Sequence, residues 1–246
     1  MPQLLAAGHT VFGLSRSPER AALLQRLGAV PVILDIYDRD ALIRAICDAQ
    51  PHTVMHQMTD LPQTLAGGGL SEEMLASNAR VRIEGGSILV DAALAAGADS
   101  FVAQSLAWLY APVPQAHGPY TEQDPLDLQA TGPTAISVGG VVALESLTLH
   151  SSPLRGVVLR YGMLYGPGTW SATANGNVPV HVDAAAYAAA LAVASAASGI
   201  FNIAEERGLV SAEKARRELG WQPDYRLADD AAGAMRRPDA PDQLLR

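Results

Sequence analysis

Three consecutive segments decide the fold: SFVAQSL at residues 100–106, SVGGVVALESLTLH at 137–150 and GVVLRY at 156–161. The first and third are short apolar runs typical of buried strands, and the second has the length and composition of a helix. Strands that alternate with helices in this way indicate βαβ units. The centre of the chain therefore predicts a mostly parallel sheet with helices on both faces.

The same alternation continues toward both ends of the chain. Apolar runs predict further strands at 10–14, 30–36, 53–58, 179–182 and 200–204, and periodic segments predict helices at 18–27, 40–49, 71–96, 183–197 and 211–219. The long segment 71–96 is expected to be interrupted near Gly85 and Gly86, because glycine weakens a helix. The predicted fold class is α/β.

Composition excludes several classes of protein. The chain has 246 residues with a formal net charge of -8, which argues against a nucleic-acid-binding surface and a basic membrane patch. The single cysteine, Cys47, forms no internal disulfide, and His52 and His56 are not spaced as metal ligands on one helical face. We see no apolar run of about 20 residues and no signal peptide, so we predict a cytoplasmic protein without a membrane span or a metal.

Six segments together resemble the NAD-dependent epimerase/dehydratase branch of the extended short-chain dehydrogenases/reductases. They are QLLAAGHTVFGLSR (3–16), SFVAQSLAWLY (100–110), LRYGMLYGPG (159–168), VHVD (180–183), FNI (201–203) and ARRELGWQP (215–223). The resemblance implies a Rossmann-like, doubly wound sheet with a C-terminal substrate lobe, and the short segments 170–179 and 202–211 predict that this lobe is reduced. We assign 1–168 to the dinucleotide-binding domain, 169–235 to the lobe and 236–246 to a tail.

The chain departs from the family pattern in two places. The family opens with a strand and a glycine-rich loop, whereas this sequence begins after that point, so the neighbouring strands are expected to lack a partner. Either the N-terminus is shortened or the fold closes the gap in another way. The family's catalytic Tyr and Lys align with Ser137 and Val141, and Lys214 is the only lysine in the chain.

The resemblance also suggests where a dinucleotide would bind. Ser15 and Arg16 end the predicted second family strand, where an arginine accommodates a 2′-phosphate, so NADP is favoured and NAD is the second choice. Asp35 matches the family's adenine contact, and His56, Gln57 and Met58 follow the nicotinamide path. The alternative for each is an ordinary cap, turn or strand-end residue.

Catalytic candidates lie at strand ends and in the loops that follow. Ser105 ends a strand, where a hydroxyl can stabilise negative charge on a substrate oxygen. Tyr110, Tyr161 and Tyr165 are candidate proton donors, although a packed core tyrosine is the alternative.

Two charged or titratable residues complete the list. We expect Arg160 to form a buried ion pair, with Asp183 as its predicted partner. His181 is a candidate base, with a structural role as the alternative.

The function predicted from these residues is an NAD(P)-dependent oxidoreductase with a degenerate active site, acting on a small carbonyl, hydroxyl or sugar-type substrate. A non-catalytic dinucleotide sensor or scaffold and an N-terminally truncated inactive form are the alternatives. The helices at 71–97 and 134–150 correspond to those of a four-helix dimer interface in the family, so a homodimer is the expected assembly. Packing of these helices on their own sheet is the alternative.

Overall fold

The computed structural model describes residues 1–62, 64, 69–113, 118–207 and 209–227. The strands are β1 (Phe12–Ser15), β2 (Val30–Ile33), β3 (Thr53–His56), β4 (Ser100–Leu106), β5 (Arg155–Tyr161), β6 (Met163–Tyr165), β7 (Pro179–His181) and β8 (Gly199–Ile203). The helices are α1 (Pro2–Ala6), α2 (Pro18–Arg26), α3 (Arg39–Ala49), α4 (Glu72–Arg80), α5 (Gly86–Ala95), α6 (Gly132–His150), α7 (Val182–Ala194) and α8 (Glu213–Leu219).

The strands form parallel sheets, as the sequence predicts. The main sheet has the order β3-β4-β5-β8, β1 pairs with β2, and β6 pairs with β7. Within the described residues, β1 and β3 each have a strand partner on one side only. This agrees with the expectation that the strands beside the family's first strand lack a neighbour.

Local sequence signals account for where several helices begin. The side chains of Ser17, Asp38 and Ser71 each accept a backbone N–H from the first turn of α2, α3 and α4. Such caps satisfy one of the four N–H groups that a helix leaves unpaired at its start.

The predicted helix over 71–96 is divided into three parts. A π-helical turn, Val81–Gly85, separates α4 from α5. Both glycines at this break are closely packed, since a Cβ on Gly85 would lie 2.9 Å from the end of the Ile36 side chain, which would have to shift. A Cβ on Gly86 would lie 2.8 Å from Leu144 of α6.

Helix α6 begins earlier than predicted, at Gly132 rather than at residue 137. Pro133 occupies its first turn, where a missing N–H costs nothing. By length and composition alone α6 is apolar enough to cross a membrane, so the sequence-based exclusion of such a segment was too simple. In the fold this helix packs on β4, β5 and α4, which explains its apolar character.

The apolar core lies on both faces of the main sheet. One cluster joins β5 and β8 to α7 and α8 around Trp221 and Phe201, and another joins β3 and β4 to α3 and α5 around Leu42 and Phe101. The predicted tail at 236–246 lies outside the described residues, and the division into two domains stays a prediction.

Candidate functional site

A buried ion pair lies beneath the carboxyl ends of β4 and β5. Arg160 of β5 donates from Nε and Nη2 to the two carboxylate oxygens of Glu145 in α6, at 2.8 and 2.7 Å. Ser105, which is opposite Arg160 in the β4–β5 register, donates its hydroxyl to the same carboxylate at 2.5 Å. The predicted Arg160–Asp183 pair is therefore wrong, because the sequence could not show that α6 brings Glu145 to the sheet.

Asp183 has a different place in the fold. Its carboxylate accepts the backbone N–H of Leu227 at 3.1 Å and lies 3.6 Å from Nδ1 of His181. Asp183 therefore joins the start of α7 to the segment after α8. Arg160 lies on a different element, strand β5.

Tyr110 extends the same buried network toward β8. Its hydroxyl donates to Oδ1 of Asn202 at 2.6 Å and accepts from Nη1 of Arg160 at 3.0 Å, and its ring stacks on Tyr120. Burial raises the pKa of the Tyr110 phenol. The structure thus brings Ser105 and Tyr110 together, with both hydroxyl protons given to protein acceptors, and a substrate oxygen would have to displace Glu145 or Asn202. Their catalytic roles stay predictions.

Tyr161 lies closer to the edge of the sheet. It is 7% exposed, and the side chain of Gln57, which is itself exposed just beyond β3, interacts with its phenol. Burial raises the pKa of Tyr161, so this phenol stays protonated at neutral pH. The carbonyl of the next residue, Met58, accepts from Nε2 of Gln104 at 3.0 Å. Tyr161, a predicted catalytic residue, therefore lies at the same edge of the sheet as Gln57 and Met58, two predicted cofactor contacts.

His56, the last residue of β3, faces the interior. It is fully buried, and Nε2 contacts the carbonyl of Val81 in the π-helical turn at 3.2 Å. Burial lowers the pKa of His56, so the ring is neutral at pH 7. The ring lies beneath a helix, and its contact with a cofactor stays a prediction.

The residues predicted for the adenosine half lie at the carboxyl ends of β1 and β2. Ser15 accepts the backbone N–H of Ser17 at 3.1 Å, and Asp35 accepts that of Tyr37 at 3.0 Å. Arg16 is more exposed, and its guanidinium lies 3.5 Å from the carboxylate of Asp60. A ribose or a 2′-phosphate can reach this open arginine, so the residues present fit the adenosine end of a dinucleotide.

Tyr165 belongs to a second polar cluster, on the smaller β6–β7 sheet. Its hydroxyl donates to Glu205 at 2.6 Å and accepts from Arg226 at 3.2 Å. His181 meets the tyrosine ring edge-on, and its Nδ1 accepts the backbone N–H of Asp183. Burial lowers the pKa of His181, so this ring is also neutral at pH 7. The four predicted catalytic residues therefore fall into three separate groups.

Sequence reasoning missed Glu145 and Asn202 as members of the buried network. The only available signal was indirect, because an arginine on a buried strand requires an acidic partner. The choice among the acids of the chain depends on helix packing, which the sequence does not show.

The parallel sheet, with polar residues gathered at the carboxyl ends of its strands, defines a Rossmann-type α/β protein. The model of the NAD dependent epimerase/dehydratase family matches residues 1–228, and the chain belongs to this family.

A curated relative and two solved structures are similar to this chain. The chain is 38% identical over 242 residues to the 3-diazoavenalumate denitrifying reductase of Streptomyces sp, covering 90% of this chain and 74% of that protein. UDP-glucose 4-epimerase of Thermotoga maritima with UDP-glucose matches with a TM-score of 0.72 at 18% identity, covering 91% of this chain and 89% of that one. The Thermus thermophilus UDP-glucose 4-epimerase complex with NAD matches with a TM-score of 0.64 at 24% identity, covering 92% and 80%. These two structures show the fold.

Proposed function

We propose that this chain is a nicotinamide-dinucleotide-dependent reductase whose substrate accepts a hydride without needing a proton from a Tyr–Lys pair. The observation that carries the proposal is the environment of Val141, which aligns with the family's lysine. Val141 is 1% exposed and lies in an apolar cluster with Ala107 and Leu109. The only lysine, Lys214, donates to the carbonyl of Ile200 at 2.8 Å and is engaged elsewhere.

The missing pair restricts the chemistry. Reduction of a carbonyl places negative charge on oxygen, and a positioned acid is needed to protonate it. An aryl diazonium ion is different, because the hydride that a bound nicotinamide supplies forms the C–H bond while the carbon–nitrogen electron pair leaves with dinitrogen. The charges balance without a protein acid. The 38% identical relative, named a denitrifying reductase of a diazo compound, supports this substrate class.

Carbonyl reduction is the second candidate function. The interaction between the Tyr161 phenol and Gln57 favours it, because it links a buried phenol to the exposed edge of the sheet. In that case Tyr161 supplies the proton, and Ser105 gives up its hydrogen bond to Glu145 and polarises the substrate oxygen. Tyr110 and Tyr165 keep the neighbouring side chains in place.

Two substrate panels distinguish the candidates. NADPH oxidation is followed with aryl diazonium carboxylic acids and with small aldehydes and ketones, using the unmodified chain and Tyr161→Phe. We expect turnover with the diazonium panel that survives Tyr161→Phe within a few-fold. Turnover confined to carbonyls and lost in Tyr161→Phe would establish the second candidate, and binding without turnover on either panel would favour a sensor or scaffold.

For the cofactor we propose NADP rather than NAD, held by Ser15, Arg16 and Asp35 at one end and by Gln57 and Met58 at the other. The exposed guanidinium at the end of β1 supports this choice, because it can pair with a 2′-phosphate.

Calorimetry tests the cofactor assignment. Arg16→Ala should weaken NADPH binding about fivefold, the effect of an exposed ion pair, and leave NADH binding unchanged. Arg20→Ala on the neighbouring α2 serves as the control and should change neither. Equal affinity for both nucleotides in the unmodified chain would contradict the assignment.

We further propose a cytoplasmic homodimer formed through α4, the π-helical turn and α6. A groove of about 430 Å³ runs between these helices, and Met74 and Ile83 are 41% and 46% exposed beside it. Ile83→Glu should convert a dimer into a monomer in light scattering. A monomer at all concentrations of the unmodified chain would contradict this assembly.

A further inference from the structure

Arg82 is a buried cation with no counter-ion among the described residues. The residue is 3% exposed, and Nε has no hydrogen-bond partner. In the described part of the chain its guanidinium forms neither a salt bridge nor a hydrogen bond, whereas the equally buried Arg160 is held by Glu145 at two positions. Burial lowers the pKa of Arg82 to about 10, so the group is still charged at pH 7. A buried charge of this kind is costly unless something pairs with it.

The position of Arg82 makes a ligand the natural partner. The residue lies in the π-helical turn, and such turns are frequent at functional sites. Its Cδ is 3.5 Å from the point that a Cβ on Gly140 of α6 would occupy. The carbonyl of the preceding residue, Val81, contacts Nε2 of His56, the last residue of β3, at 3.2 Å. The π-helical turn that carries Arg82 is therefore close to the carboxyl end of a parallel strand, where open α/β sheets bind ligands.

His56 contributes a second unsatisfied atom to the same region. Its Nε2–H donates to the carbonyl of Val81, which leaves Nδ1 as a buried acceptor without a partner in the described residues. Two orphaned polar atoms, one in the π-helical turn and one on a ring that contacts this turn, are unusual, because buried polar groups are almost always paired. The protein holds them at this site through close glycine packing on both sides of the turn.

We propose that Arg82 anchors an oxyanion-binding site at the carboxyl end of β3, which the carboxylate or phosphate group of a bound ligand fills. The planar guanidinium matches either group with two parallel hydrogen bonds. Gly140 lets α6 pack closely on α4 and on the aliphatic part of the Arg82 side chain, because a Cβ there would lie 3.0 Å from Ala79 and 3.5 Å from Cδ of Arg82. The site does not depend on hydride transfer, and it restricts the ligand to an acid or a phosphate ester.

A single buried water is the competing explanation. A water that accepts from Nε of Arg82 and donates to Nδ1 of His56 would satisfy both atoms. It would leave the charge of Arg82 uncompensated, so added anions would have no effect on stability. The two explanations therefore predict opposite responses to anions.

The test is thermal unfolding of the full chain in an anion-poor buffer, titrated separately with inorganic phosphate, cinnamate and NADPH. The unmodified chain should melt about 5 to 10 °C higher in a hundredfold excess of at least one of them over its Kd. Arg82→Met should lose the shift with phosphate and cinnamate, keep only the part of the NADPH shift that binding at Arg16 provides, and melt no lower than the unmodified chain in the absence of anions. Arg44→Met, which changes an exposed arginine of α3, is the matched control and should keep the shift.

The pattern across the three probes identifies the source of the oxyanion. A shift with cinnamate alone indicates a substrate carboxylate, one with NADPH indicates a cofactor phosphate, and one with phosphate alone indicates a free phosphate. Arg82→Lys keeps the positive charge but loses the two parallel N–H donors of the guanidinium, so the Kd of the bound anion should rise about tenfold. If Arg82→Met does not fold, Arg82→Lys takes its place in the test. No shift with any probe, or a phosphate or cinnamate shift that persists in Arg82→Met or is unweakened in Arg82→Lys, would overturn the proposal.

Discussion

Replacing Glu145 by glutamine separates the two charges at the centre of the buried network. The change keeps the shape of the side chain and removes the negative charge that Arg160 contacts at 2.7 and 2.8 Å. The side chains of Arg160 and Glu145 are only 4% and 8% exposed, so water cannot replace the lost partner.

The expected cost follows from this burial. Removing one member of a buried ion pair leaves an uncompensated charge and costs about 3 to 5 kcal/mol. For a chain of this size each 1 kcal/mol changes Tm by about 2 to 4 °C. Glu145→Gln should therefore lower Tm by about 6 to 20 °C.

The assay is urea unfolding followed by circular dichroism, with a thermal melt as a second measurement. Glu84→Gln breaks an exposed ion pair with Arg80 and serves as the control, which should change stability little. The double variant Glu145→Leu, Arg160→Met removes both charges and should recover most of the loss, because a well-packed apolar pair replaces a buried ion pair at little cost. A loss of less than about 1 kcal/mol in Glu145→Gln would refute the reasoning, since it would place this pair in the range of surface ion pairs.

Three further predictions concern other parts of the fold. The pKa of buried His56 is held below its ordinary value of 6.5, so as pH falls below 6.5 the unfolded chain takes up the proton first and the free energy of unfolding decreases. The slope is at most about 1.4 kcal/mol per pH unit for one proton, and His56→Gln should flatten it between pH 6.5 and 5 in urea titrations. Gly156→Ala should prevent folding, because its Cβ would lie 2.0 Å from a carbonyl oxygen of α6, whereas Gly139→Ala meets nothing within 4 Å and should raise stability by up to about 1 kcal/mol in the same assay. Tyr110→Phe should cost about 1 to 3 kcal/mol, since it leaves two buried partners unsatisfied, and NADPH oxidation should survive it.

The α/β class and the order of its elements follow directly from the sequence. Apolar runs such as SFVAQSL alternate with helical segments, and this alternation admits few arrangements other than a parallel sheet. Even the break in the helix after α4 was visible in Gly85 and Gly86. Helix limits were less predictable, because the first turn of α6 carries no apolar periodicity and depends on Pro133.

The candidate site was less accessible to sequence reasoning. Ser105 and Tyr110 were identified as strand-end and loop hydroxyls, yet the directions of their side chains depend on Glu145 and Asn202, which come from distant elements. Arg82 escaped notice altogether, since an arginine within an amphipathic segment is typical of an exposed helical face. Only the packing of the π-helical turn against α6 reveals that it is buried.

The most direct test of the proposed reductase is hydride transfer itself. The chain is incubated with NADPH deuterated at the reactive nicotinamide carbon and with an aryl diazonium carboxylic acid, and the product is analysed by mass spectrometry. We expect deuterium in the product at the carbon that carried the diazonium nitrogen, with one dinitrogen released for each NADPH oxidised. NADPH binding without deuterium transfer to the diazonium acid would contradict it.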